Sequence, residues 1–112
     1  MEEKFAIIKA KKTEPKAFAN ITDKNEITLI IDQKVYDESN VIEIEKDWKI
    51  ITLDIIFPMN VVGVTAKISS AMAKEEITIM HIAAFSRDHF LIKEKDLSRA
   101  MKVLEKLGIK IV

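Results

Sequence analysis

Few side chains in this 112-residue chain could carry chemistry, and the most suggestive lie together: His81, Asp88 and His89. An aspartate beside a histidine can move a proton, so Asp88 and His89 are the pair an enzyme would use here. As metal ligands the histidines fall short. On the arms of a hairpin that turns near Arg87 they occupy different rows, and a protein-held metal needs three or four ligands. No third ligand is evident, so no metal is expected. His81, inside an apolar run, reads instead as a hydrogen-bonded histidine of the core or the sheet face. Ser69-Ser70 have no histidine or lysine base beside them, which removes the obvious nucleophile. Asp54 lies within a strong strand pattern and is expected to face solvent or a subunit, because a lone buried carboxylate is costly. The chain has no cysteine, so thiolate chemistry and disulfides are excluded. Phosphate-loop, dinucleotide and paired-carboxylate motifs are missing too. These residues predict a protein that is not an enzyme and needs no cofactor.

What remains is a binding site built from backbone. Pro58-Met59-Asn60-Val61-Val62-Gly63 joins a strand to a helix. Asn60 is placed as an N-cap, accepting from N–H groups of the next turn. Gly63 falls about three residues into the helix, where glycine costs about 1 kcal/mol against alanine. Two readings compensate for that cost. Without a Cβ, a ligand can touch the backbone, and free first-turn N–H groups at a positive helix end favour a carboxylate or phosphate. Alternatively, Gly63 merely lets the helix pack closely on the sheet.

The elements that would position this junction are legible. Trp48 to Phe57 reads as the longest strand, anchored at its start by Trp48. Ile51, Leu53, Ile55 and Phe57 share one face; Ile50, Thr52 and Asp54 share the other. Val61 to Lys74 carries apolar residues at 61, 64, 68, 71 and 72, the stripe of an amphipathic helix. Ile77 to Phe85 reads as a strand, Ser86 to Asp88 as a turn, and His89 to Lys93 as a returning antiparallel strand. Glu94 to Leu107 predicts a second helix, with Leu97, Ala100, Met101, Leu104 and Leu107 on one stripe. Its acids at Glu94 and Asp96 and lysines at Lys102 and Lys106 suit the macrodipole. Gly108 takes the left-handed position after the helix, and Ile109 to Val112 closes the sheet. Met59, Met72, Met80 and Met101 are read as core residues or as flanking the junction.

The first 46 residues give strands with little helix: Phe5 to Ala10, Glu26 to Asp32, and a short strand over Val41 to Glu45. One or two helical turns are expected over Lys16 to Ala19 after Pro15, and a turn over Asn20 to Asn25. This segment is small to hold a core alone. The expected division is residues 1–46 and 47–112.

Composition narrows the partners. At 48% apolar and 32% charged residues the chain can bury a core. Its 18 acids balance 18 bases, and a phosphate-binding surface needs a basic surplus, so nucleic acid is not expected. The one basic run, Lys9 to Lys12, reads as a solvated strand end. The acidic N-terminus has no long apolar core behind it, so it is not expected to be a signal peptide, and no stretch approaches the ~20 apolar residues of a membrane helix. A cytoplasmic protein without membrane contact is the expectation.

Trp48 through Leu107 resembles an ACT domain, a small ligand-sensing module of amino-acid metabolism. The whole chain is similar to small stand-alone proteins that fold two ACT-like units from little more than a hundred residues. Carrying the resemblance are Glu26 to Ile31, Trp48, Phe57-Pro-Met-Asn-Val-Val-Gly-Val64, Ile79 to Ile92, and Asp96-Leu-Ser-Arg-Ala100. It implies an α+β, ferredoxin-like (βαββαβ) ACT fold in tandem with a reduced, strand-rich ACT-like unit. It also implies regulation without catalysis. The ligand would be an amino acid or related carboxylate, held around Met59, Asn60, Val61, Val62, Gly63 and Val64 with Asp88 near its polar end. A homodimer or another partner protein is expected. The rival is an interaction module that oligomerises through its sheet edges, since Ala83-Ala84-Phe85 could line a subunit contact as easily as a pocket.

Overall fold

The computed structural model describes residues 2–53, 61–85 and 87–109. Contacts divide the chain into two compact units, with the boundary between Trp48 and Lys49.

The first unit is built from β1 (Phe5–Ala10), β2 (Ala19–Thr22), β3 (Ile27–Asp32) and the first part of β4 (Val41–Leu53), in the order β2-β3-β1-β4. Every pairing among them is antiparallel. Alternation puts Ala6, Ile8 and Ala10 on one face, where they bury against Leu29 and Ile31. Two expectations are corrected here. The helical turns over Lys16 to Ala19 reduce to a single turn, closed by Ala17 N–H on the Glu14 carbonyl at 3.1 Å, and the chain is extended again from Ala19. Asn20 to Thr22 is then strand, because Ile21 and Thr22 pair with Thr28 and Ile27. Only Asp23 to Glu26 turns, and the Asp23 carboxylate holds it by accepting from Asn25 N–H at 2.7 Å and Glu26 N–H at 2.9 Å.

The basic run ends in a built turn. Asn40, only 6% exposed, accepts through Oδ1 from Lys11 N–H at 3.1 Å and Lys12 N–H at 2.9 Å, and donates through Nδ2 to the Lys12 carbonyl at 3.0 Å. Lys9, Lys11 and Lys12 are exposed.

The strands read over Val41 to Glu45 and from Trp48 onward are one strand, and Trp48 lies within it, not at its start. Lys46-Asp47 looks like a break in sequence but is a bulge. Phe5 pairs with Trp48 and Ile7 with Glu45, so β4 carries one extra residue there, and Asp47 takes φ 65°. Gln33 repairs the interrupted ladder, donating to Asp47 Oδ1 at 3.1 Å and accepting from Asp47 N–H at 2.9 Å.

The second unit continues β4 and adds α1 (Val61–Lys74), β5 (Ile79–Ala83), β6 (Asp88–Lys93) and α2 (Leu97–Lys106), with strand order β4-β6-β5. One core joins them. Ile51 and Leu53 from β4, Ile68 and Met72 from α1, Phe90 and Ile92 from β6, and Ala100 and Leu104 from α2 are all at most 3% exposed. Both helices therefore pack on the sheet face that carries Ile51, Leu53, Phe90 and Ile92. The second unit is thus α+β, with both helices on one face of its sheet. Met72 and Met80 follow the apolar pattern, but Met101 and Leu107 are 39% and 38% exposed, because α2 buries a stripe narrower than its apolar residues. β5 is also shorter than read: Ile77 N–H is used in ending α1.

Both helices end on the same device. After α2, Gly108 at φ +72° donates to the Glu105 carbonyl at 3.0 Å, and Ile109 N–H reaches Leu104 at 3.1 Å. After α1, Glu76 at φ 56° donates to Ala73 at 3.0 Å, and Ile77 N–H reaches Met72 at 2.9 Å. A 3-10 turn, Glu94–Asp96, precedes α2. The buried Asp96 does not cap that helix through its side chain. It pairs with Arg99 at 2.8 Å, whose other nitrogen donates to the Glu75 carbonyl at 2.8 Å and ties the end of α1 to the start of α2. The strand read over Ile109 to Val112 lies outside the described residues beyond Ile109.

Candidate functional site

Of the residues expected to hold a ligand, Met59 and Asn60 lie outside the described residues, as do Asp54 and Pro58. Val61, Val62, Gly63 and Val64 form the first turn of α1, which contains no acidic residue. The positive helix end is therefore not neutralised from within its own first turn. Gly63 is half-buried, and Val64 packs against the core that both helices share.

Asp88 opens β6 and is 7% exposed. The register places it opposite Ala83, with His81 opposite Phe90 and His89 opposite Ile82. The two histidines thus fall in different rows, as the sequence predicts, and on opposite faces of the sheet. His81, Asp88, Phe90 and Ile92 share the face covered by the helices. There His81 Nε2 lies 3.1 Å from Asp88 Oδ1. The His81 ring is stacked on Phe90, with centroids 4.5 Å apart and planes 5° from parallel. The other face carries a second polar pair, Thr52 Oγ1 and His89 Nδ1, 2.9 Å apart, which links β4 to β6. Burial pushes the His89 pKa below the usual imidazole value; the Asp88 carboxylate opposes this and Arg87 adds to it. Ala84 N–H donates to the Arg87 carbonyl at 2.9 Å across the hairpin.

Sequence reasoning singled out Asp88 and both histidines but missed their partners. The signal was the turn: once Ala84 and Arg87 close the hairpin, parity alone puts His81 and Asp88 on one face and His89 on the other. Thr52 near the end of β4 lies beside His89 at the start of β6. Among the described residues no three His, Asp or Glu side chains are grouped to hold a metal ion. A shallow groove of about 650 Å³ in the first unit is lined by Glu26, Glu43, Glu45 and Lys9 over Ile7 and Thr28. Its carboxylates make it a poor receptor for an acid.

A sheet edge of β4, β6 and β5 with two helices on one face is the architecture of a small α+β domain. Residues 43–106 match the ACT domain family, and the chain belongs to that family. A comparison with curated proteins finds no match. Among solved structures, the chain is similar to protein Atu0741 of Agrobacterium tumefaciens, at TM-score 0.80 and 17% identity over 95% of this chain and 84% of that one. It is also similar to a Vibrio cholerae protein of unknown function, VC0802, described as a possible transport protein, at TM-score 0.79 and 17% identity over 93% and 82% of the two chains. A putative C-terminal regulatory domain of aspartate kinase from Porphyromonas gingivalis follows at TM-score 0.60 and 18% identity, covering 93% and 91%. At such identities the likeness concerns the fold.

Proposed function

We propose that this chain is a non-catalytic regulatory protein that binds an amino acid or a related carboxylate. The site is the segment Met59 to Val64, which includes the first turn of α1, with Asp88 near the polar end of the ligand. The observation that carries the reading is the pairing of opposite electrostatic ends in one unit. A helix start without acids suits a carboxylate, and a buried aspartate on the helix-covered sheet face suits an ammonium. The regulatory role described for the similar aspartate kinase domain supports it. Within this proposal residues 1–46 are a reduced ACT-like partner of residues 47–112, and the protein works in the cytoplasm. No helix among the described residues is long and apolar enough to cross a membrane.

Thermal denaturation against the twenty L-amino acids at millimolar concentration tests the reading. A ligand present at 100 times its dissociation constant adds about 2.7 kcal/mol. For 112 residues that raises Tm by roughly 10 °C. A selective shift, abolished by Gly63→Val in a chain that still folds, is expected. Silence across the panel would refute amino-acid binding, and an unchanged shift in Gly63→Val would refute the site.

One observation favours a second reading, dimerisation through the sheet edge. β5 ends the strand order, and Phe85 beyond it is fully exposed. Light scattering that reports a monomer at every concentration would remove it.

A further inference from the structure

We propose that His81 is a positioning residue for the ligand site, holding the Asp88 carboxylate in place through its Nε2–H; this rests on the reading of Asp88 as a ligand contact. The two side chains are diagonal neighbours across the β5–β6 hairpin, since His81 stands opposite Phe90 and Asp88 opposite Ala83. Diagonal pairs on one face lie within reach of long side chains. Here the reach is used: Nε2 and Oδ1 are 3.1 Å apart.

The imidazole, 27% exposed at its side chain, lies flat on Phe90. Phe90 is 2% exposed and part of the core, so the ring stacked on it has its plane set by a fixed neighbour. Among the described residues His81 is the only side-chain partner of Asp88, whose side chain is 10% exposed. A carboxylate at that depth without a donor would turn toward water, because burying it unpaired is costly. His81 removes that drive and occupies Oδ1. The second oxygen is left to accept from an N–H group of a ligand. Phe90 sets the ring, the ring sets the carboxylate, and the carboxylate meets the ligand.

Two substitutions separate donor from ring. His81→Phe keeps an aromatic ring for the stack and removes the Nε2–H; His81→Gln restores an N–H donor without the ring. The full chain carrying each is crystallised and also assayed by thermal shift against the twenty L-amino acids. In His81→Phe the Asp88 side chain is expected to leave its present position. The affinity for whichever amino acid stabilises the unaltered chain should fall about tenfold, the usual scale for losing a hydrogen bond to a charged group. His81→Gln should hold Asp88 and retain most of that affinity.

An Asp88 unmoved in His81→Phe would overturn the positioning role, as would equal losses in the two variants. A response to amino acids that is the same in His81→Phe and the unaltered chain would overturn that role alone. An unaltered chain that answers none of the twenty would overturn the amino-acid reading, and with it the role of His81 in amino-acid binding.

Discussion

The two helix ends offer a test in which one backbone conformation is held by two different residues. Gly108 and Glu76 both sit in the left-handed region, at φ +72° and 56°, and both close the same pair of hydrogen bonds. A Cβ built on Gly108 meets no atom within 4 Å, so Gly108→Ala introduces no clash. What is left is the intrinsic cost of a left-handed L-residue, about 1–2 kcal/mol. Reduced freedom of the unfolded chain offsets about 0.4–1 kcal/mol of it. The net loss is about 1 kcal/mol. An unfolding entropy of about 2.1 cal/mol/K per residue across 112 residues makes that a fall in Tm of about 4 °C. Glu76→Gly reverses the argument at the other helix and should raise Tm by about 2–4 °C. Thermal unfolding followed by circular dichroism on both variants and their double mutant is sufficient, and the two effects should add, since the sites share no partner. A neutral Gly108→Ala, or a destabilising Glu76→Gly, would mean that the cap geometry is not what these positions select for.

Three further perturbations probe the polar contacts. Arg99→Met removes the donors to the Glu75 carbonyl and to Asp96, leaving a buried carboxylate unpaired; urea unfolding should show a loss of about 1–2 kcal/mol, reduced because the guanidinium is half exposed. Asn40→Ala frees the Lys11-Lys12 turn from three hydrogen bonds and should cost about 2–3 kcal/mol in the same assay. His89 gives a pH dependence with a definite sign. Its folded pKa lies below the unfolded value, so at mildly acidic pH the unfolded chain binds the proton first. The stability from its neutral form is complete above the ordinary imidazole pKa and is lost as pH falls through the lowered one. His89→Gln should flatten that part of the stability profile, and a slope unchanged by the substitution would count against the half-buried ring as its source.

The legibility of this fold follows from periodicity. The stripe at 61, 64, 68, 71 and 72 has the helical repeat, and its described members are buried or half-buried on α1. Ile51 and Leu53 share a face because strands alternate, and that face meets the core. Gly108 was readable because only one backbone conformation rewards glycine after a helix. The errors came where tertiary pairing overrides local signals. Lys46-Asp47 is polar enough to look like a linker, yet a side chain from Gln33, fourteen residues earlier, completes the strand through it. Glu76 has no glycine to advertise its left-handed turn. Ile21 and Thr22 are strand because β3 lies beside them.

The site obeys a stricter condition. Its residues can be picked out by type, but what they do depends on parity across the β5–β6 hairpin. Shifting the register by one residue would move the partners to opposite faces. His81 would lose Asp88, and Asp88 would be a buried acid without a donor. His89 would keep Thr52, because that pair joins β4 to β6. The geometry of this candidate site is therefore encoded in the closure of the hairpin by Ala84 and Arg87 as much as in the residues that carry it, and a substitution there that shifts the β5–β6 register should abolish the His81–Asp88 pair while leaving Thr52–His89 in place.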